Sequence, residues 1–251
     1  MRQTHIRRYG RRQSNTLQWG CGCALLGGFM ALLAFLALYL FLPLLPGMAL
    51  QLSGANRIGT TGTLFEDVTV PPTAVVQNAT SPQQVTVNLG QYGRESITVD
   101  QQHYAFVTGS SDSGTRIARA SFTEAGLLAI CAQQSPICRE GSSQYRNVVL
   151  DLRPGGAVIY ADVNTGGLGW QRVGVVLQLD SSRTLLRVAG IDISGALYDH
   201  TALPGELAGA VDEIVHVIND VLRQLAVEAG GENYTLSEII IDDTTLTLLL
   251  R

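Results

Sequence analysis

A charge-free apolar stretch near the N-terminus constrains this 251-residue chain more than any other feature. No charged residue lies between Arg12 and Arg57, and residues 21–45 within that interval are almost continuously apolar. A helix of this length spans about 37 Å, enough to cross a hydrocarbon core of about 30 Å. The sequence therefore predicts a single transmembrane helix at residues 21–45, with the lipid bilayer as its partner.

The charges beside this stretch predict its orientation. The arginine-rich residues 1–20 carry no acid and should stay in the cytoplasm, because basic flanks favour that side. Residues 46–83, rich in Gly, Ser, Thr and Pro, are interpreted as an extended linker to an extracytoplasmic domain at residues 84–251. The predicted location is the cell membrane, in a single pass. The alternative is a cleaved signal peptide, whose apolar region is normally only about 7–15 residues long.

The remaining charge excludes one class of partner. All 17 basic residues are arginines, and after residue 12 the chain has 12 arginines against 21 acidic residues. An acidic body is repelled by phosphate backbones. We therefore expect no nucleic-acid partner.

Alternating apolar and polar residues predict antiparallel strands. The pattern begins at Val85 and is clearest in four segments joined by short turns, which predicts a meander. A further edge strand is predicted at 64–70, within the linker. The meander strands are predicted at 147–152, 157–164, 173–180 and 184–193.

Two helices are predicted beside these strands. Ser121 and Glu124 have the spacing of a capping box ahead of a short apolar helix of about ten residues. Residues 206–228 place apolar side chains along one helical stripe, with Gly230 and Gly231 as the stop. Together with strands at 235–241 and 245–250, this predicts an α+β fold in which a curved antiparallel sheet packs around the long amphipathic helix.

No catalytic motif is present in the sequence. His200 could act as a base oriented by Asp199, with Ser194 or Thr201 as the nucleophile, but a surface turn explains these residues better. The four histidines show no ligand spacing, so neither a metal nor a cofactor is expected. The sequence thus predicts a protein that is not an enzyme.

Two cysteines flank a short loop outside the predicted membrane segment. Cys131 and Cys138 enclose six residues, and a disulfide between them would persist outside the cytoplasm. The alternatives are free buried thiols and, as the weakest, a metal site. A disulfide is the expected state.

The order of these elements resembles that of the bacterial TULIP-like lipid-binding proteins, including the LmeA-like and the membrane-anchored YpmS-like groups. The similarity covers roughly residues 85–251 and is carried by 121–128, 173–193, 204–225 and 237–250. In that family a curved sheet encloses a long helix, and acyl chains occupy the space between them. The resemblance implies a hydrophobic lining formed by Leu127, Leu128, Ile214, Ile218, Val221, Leu222 and Leu225.

Two functions follow as hypotheses. In the first, the domain is a membrane-anchored, non-catalytic module that binds a phospholipid or another hydrophobic ligand in a cavity between sheet and helix. In the second, the same fold has a filled core and serves as an accessory or scaffold subunit of a membrane or envelope complex. An apolar helical stripe is compatible with both, since it packs an ordinary core equally well.

Overall fold

In a computed structural model, described at residues 57–134, 145–164, 169–202 and 205–251, fourteen strands form two antiparallel sheets. Sheet 1 has the strand order β1-β11-β10-β9-β8-β7. Its strands are β1 (Arg57–Thr60), β7 (Tyr145–Arg153), β8 (Gly156–Asn164), β9 (Trp170–Leu179), β10 (Leu186–Ile193) and β11 (Ala196–Tyr198). Strands β7 to β10 pair consecutively, which confirms the predicted meander.

Sheet 2 has the strand order β2-β5-β6-β14-β13-β12-β3-β4, and all its pairs are antiparallel. Its first four strands along the chain are β2 (Gln77–Thr80), β3 (Gln84–Asn88), β4 (Arg94–Thr98) and β5 (Tyr104–Ser110). The others are β6 (Arg116–Thr123), β12 (Ala226–Ala229), β13 (Glu232–Ile241) and β14 (Thr245–Leu250).

The predicted α+β class is wrong, because the protein is mostly β-sheet, curled into a half-barrel. The described residues include only three α-helices: α1 (Thr61–Phe65), α2 (Glu124–Gln134) and α3 (Gly205–Gln224). Short 3-10 turns lie at Gly90–Tyr92 and His200–Ala202. The sequence interpretation missed β1, β2, β11 and β12, which have three or four residues each, and the eight-residue β6, whose last three residues were interpreted as a helix cap.

Helix α2 starts where predicted but is capped differently. The Thr123 hydroxyl accepts a hydrogen bond from the Gly126 amide at 3.1 Å. Ser121 lies in β6, and its hydroxyl is 3.1 Å from that of Thr247 on β14. The Glu124 carboxylate accepts from the Leu152 amide at 2.7 Å. The capping-box prediction is therefore wrong, since both of its side chains bind strands instead of the helix terminus.

Helix α3 ends four residues earlier than the stripe predicts. Residues 226–229 form β12, which pairs with β13 on one side and with β3 on the other. An extended backbone at residues 226–229 forms hydrogen bonds with the backbones of both β3 and β13. A further helical turn would leave those N–H and C=O groups without partners. Tertiary pairing thus overrides the local helical pattern.

The N-terminal part of the described chain covers the outer faces of both sheets. We call residues 57–76 the strap. It includes β1 and α1, which lie within the predicted linker of 46–83, and the strand predicted at 64–70 is wrong because no strand forms there. Phe65 of α1 packs with Val158 and Val176 on the outer face of sheet 1. A Cβ at Gly156 would lie 2.7 Å from the Phe65 ring, so glycine is required there.

Beyond α1, the strap crosses the outer face of sheet 2. The Arg119 guanidinium donates to the Ala74 carbonyl at 3.2 Å, and Arg119 is the register partner of Leu249, which is buried. The runs of consecutive apolar residues in β13 and β14 thus have two apolar environments. Ile239, Ile241, Leu248 and Leu250 join the main core, while Ile240 and Leu249 belong to the opposite face.

Among the described residues, no helix has both the length and the hydropathy needed to cross a bilayer. The predicted transmembrane residues 21–45 lie outside that part of the chain.

Candidate functional site

The side chains predicted to line a ligand cavity meet in the main core. Helix α3 contributes Ile218, Val221 and Leu222, and the residue after it is Leu225; each is at most 6% exposed. Leu127 of α2 is in the same cluster, and Leu128 packs against it partly buried. The side chain of Ile214 lies outside the described set. The structure therefore brings six of the predicted residues to one apolar interior, and their role in binding stays a prediction.

Polar side chains attach α3 to the sheets. The Asn219 side-chain oxygen accepts from the Leu186 amide at 2.9 Å, and its side-chain nitrogen donates to the Leu186 carbonyl at 2.8 Å. The Leu236 amide donates to the Leu225 carbonyl at 3.3 Å. Sequence reasoning placed Asn219 on the solvent face. An asparagine directly after the buried Ile218 was the available signal, but it did not identify a partner strand.

Aromatic side chains occupy the interior opposite the stripe. The rings of Tyr104 and Phe122 stack with centroids 5.3 Å apart, and both are buried in the cluster that contains Ile218. Phe106 and Tyr234 belong to the same cluster. Such rings bury large apolar areas and fill space between two sheets. In this structure the described stripe residues Ile218, Val221 and Leu222 pack in a cluster of the protein's own side chains.

The other sequence candidates do not assemble into a site. Cys131 lies in α2, but its side chain and the whole of Cys138 fall outside the description, so the disulfide stays a prediction. The His200 ring lies 3.7 Å from Asp199 and 3.4 Å from Asp212. Neither Ser194 nor Thr201 has a hydrogen bond to it in the described chain. That chain also contains no group of three or more metal-ligating side chains.

A buried polar cluster on the outer face of sheet 1 was not anticipated from the sequence. Asp192 of β10 is 1% exposed, and its carboxyl group accepts a hydrogen bond from the Thr61 hydroxyl at the start of α1. The Gly195 amide and the Tyr160 hydroxyl donate to it at 2.8 and 3.3 Å. The Arg172 guanidinium lies 4.6 Å from the centre of the Tyr160 ring. This cluster attaches the strap to sheet 1.

Burial raises the pKa of Tyr160 to about 12, and the nearby Asp192 and Asp151 carboxyls act in the same direction. The folded protein therefore holds the phenol proton more tightly than the unfolded chain does. The contribution of Tyr160 to the free energy of unfolding is therefore complete below pH 10, the ordinary pKa of tyrosine, and is lost as the pH rises towards about 12.

We expect Tyr160→Phe to abolish this part of the alkaline dependence. The variant should show a smaller decline of the urea midpoint between pH 9.5 and about 11.5 than the wild type, because phenylalanine has no proton to lose. Titration followed by absorbance at 295 nm should lose the ionisation of one tyrosine at about pH 12. The matched control is Tyr92→Phe on an exposed tyrosine, which should leave the alkaline decline unchanged. Identical declines for wild type and Tyr160→Phe would contradict the assignment.

Comparison with known proteins places this chain in no family: no family model, no curated protein and no solved structure matches it. The similarity to TULIP-like proteins therefore has no support beyond the sequence pattern.

Proposed function

We propose that this chain is a membrane-tethered, extracytoplasmic and non-catalytic protein that binds a lipid or another hydrophobic ligand between α3 and the sheets. The observation that carries the proposal is the position of the α3 stripe, which faces an apolar interior shared by both sheets and α2. The tether at residues 21–45 would keep this interior close to bilayer lipids, at a high effective concentration.

Entry of a ligand requires α3 to move. The described stripe side chains Ile218, Val221 and Leu222 are covered in this structure, so an acyl chain must replace contacts between α3 and its neighbours. Within the described residues, the direct attachments there include the Asn219 hydrogen bonds to Leu186, the backbone bond between Leu236 and Leu225, and the Gln224 side-chain oxygen, which accepts from the Gln91 amide at 3.1 Å. Separation of α3 from β10 would break the Asn219 hydrogen bonds, whereas none of these attachments is a hydrogen bond between paired strands.

A second candidate function is an accessory subunit of an envelope complex with a permanently filled core. The stacked Tyr104 and Phe122 rings favour it, because bulky side chains already occupy the interior. The strap favours it too, since it accounts for the strands that are apolar on both faces without any ligand. The two functions differ in whether α3 ever leaves its place.

The first experiment is native mass spectrometry of material released from membranes without detergent. A protease site inserted between residues 46 and 56 of the full chain allows the folded part to be cut from washed membranes. A discrete added mass that extracts into organic solvent as an amphiphile supports ligand binding. A clean mass of the polypeptide alone supports the accessory subunit and overturns the proposed ligand.

Enlarging one stripe residue distinguishes the two functions in the folded protein. For a ligand-binding interior, we expect Val221→Phe to abolish the added mass while the free energy of unfolding falls by less than about 1 kcal/mol. In a permanently filled core the same change costs about 1–3 kcal/mol through overpacking. Val176→Phe, in the separate outer cluster of sheet 1, is the matched reference for overpacking. Equal destabilisation of both variants, as measured by urea denaturation, would contradict ligand binding.

A further inference from the structure

A groove on the outer side of the molecule has the composition of a binding site and is separate from the main core. It has a volume of about 210 Å³ and lies between the strap, the turn after β9 and strand β13. One wall is formed by Val68, Val70 and Pro71 of the strap, and Ile240 of β13 contributes to the base. These residues give the groove an apolar lining.

Three charged side chains reach this groove, and two of them are already engaged. The Asp180 carboxylate accepts hydrogen bonds from Ser182 at 2.7 and 2.8 Å and from the Leu185 amide at 3.2 Å. The Arg183 guanidinium lies 3.2 Å from the Glu238 carboxylate and 3.5 Å from the Thr69 carbonyl. Both therefore serve the local structure.

Arg187 is the third charge, and it differs from the other two. Its guanidinium donates to the Gln178 side-chain oxygen at 2.9 Å, and within the described residues it has no carboxylate partner. Gln178 is 8% exposed and donates in turn to the Leu64 carbonyl at 3.3 Å. The neutral, buried amide of Gln178 thus positions the Arg187 guanidinium through one hydrogen bond and leaves the other N–H donors of that guanidinium available.

We propose that this groove, hereafter the Arg187 groove, binds an anionic amphiphile. Its carboxylate or phosphate oxygens would accept from Arg187, because a guanidinium pairs with two oxyanion oxygens at once. The first carbons of its chain would lie on Val68, Val70 and Ile240. The ligand is either a lipid headgroup with part of its chains or a free fatty-acid-like molecule. This site is independent of the proposed function, since it lies on the opposite face of the sheets from α3.

The test uses the full chain in phosphatidylcholine nanodiscs, with empty nanodiscs titrated in parallel and subtracted. Isothermal titration calorimetry measures octanoate, which represents a free fatty-acid-like ligand, and dihexanoylphosphatidylglycerol, which represents a lipid. Inorganic phosphate, which has only the anionic group, and octanol, which has only the chain, are measured for comparison. We expect octanoate or dihexanoylphosphatidylglycerol to bind at least tenfold more tightly than inorganic phosphate and octanol do. Binding of octanoate alone identifies a free ligand, and binding of the phospholipid a lipid source. Binding of neither, or octanol binding as tightly as octanoate, overturns the proposal.

Arg187→Gln provides the residue-level test. Arg187 is exposed on β10, so the change should leave the circular dichroism spectrum unaltered while weakening binding at least tenfold. Arg116→Gln removes the same charge from β6, away from the groove, and should bind as the wild type does. Equal affinities for the two variants would overturn the proposal. Val221→Phe should not alter binding to the Arg187 groove. Failure of the proposed ligand in the main core can therefore be distinguished from failure of the groove proposal.

Discussion

Ile218→Ala should lower the free energy of unfolding by about 2–5 kcal/mol, the range for truncating a fully buried aliphatic side chain. Ile218 is 1% exposed and lies where α3 meets the core shared by both sheets. Truncation removes apolar contacts and leaves a cavity that rigid neighbouring strands cannot close. Urea denaturation of the full chain in mild detergent, followed by circular dichroism, measures the change.

The matched control for this prediction is Ile58→Ala. Ile58 is 52% exposed, so the same truncation should change stability by less than about 0.5 kcal/mol. If Ile218→Ala cost no more than Ile58→Ala, α3 would not be packed against the sheets as described. That result would also remove the basis of both proposed functions of the interior.

Asp192→Ala should lower the free energy of unfolding by about 3 kcal/mol, because hydrogen bonds to a carboxylate contribute more than neutral ones and the change leaves buried donors unpaired. Those donors are the Thr61 hydroxyl, the Gly195 amide and the Tyr160 hydroxyl. The loss should loosen the strap, since Thr61 begins α1. Asp243→Ala on an exposed carboxylate should have little effect.

A double-mutant cycle with Thr61→Val tests whether Asp192 acts through the strap. We expect the two changes together to cost less than the sum of the single changes, with a coupling energy of about 0.5–3 kcal/mol. Additive effects would mean that Asp192 stabilises sheet 1 alone. Increased proteolysis between residues 66 and 76 in Asp192→Ala would show that the strap is released.

The sequence predicted the meander correctly because each of its strands alternates in a local and regular way. Val173, Val175, Leu177 and Leu179 were expected on one face, and in the structure they lie on the core side of β9. The C-terminal hairpin was predicted for the same reason, and Asp242 closes it by accepting hydrogen bonds from the Thr244 and Thr245 amides at 2.8 Å.

Prediction failed where one segment suits two conformations. Residues 226–228 fall inside the predicted helix 206–228, but residues 226–229 pair as β12 between β3 and β13. Ser121 and Glu124 have the spacing of a helix cap but bind strands that are distant in sequence. The fold class was wrong for the same reason, since short segments such as β11 and β12 become strands only through their partners.

For the candidate sites, the sequence by itself determined which α3 residues are apolar and on one side. Only the tertiary structure decided that Asp192, Tyr160 and Thr61 meet, and that Arg187 lies beside the strap. Periodicity along a chain reports which face of an element avoids water, because that depends on neighbouring residues alone. Hydrogen bonds and charges between residues more than one hundred positions apart depend on how the sheets and the strap pack together, which no local pattern encodes.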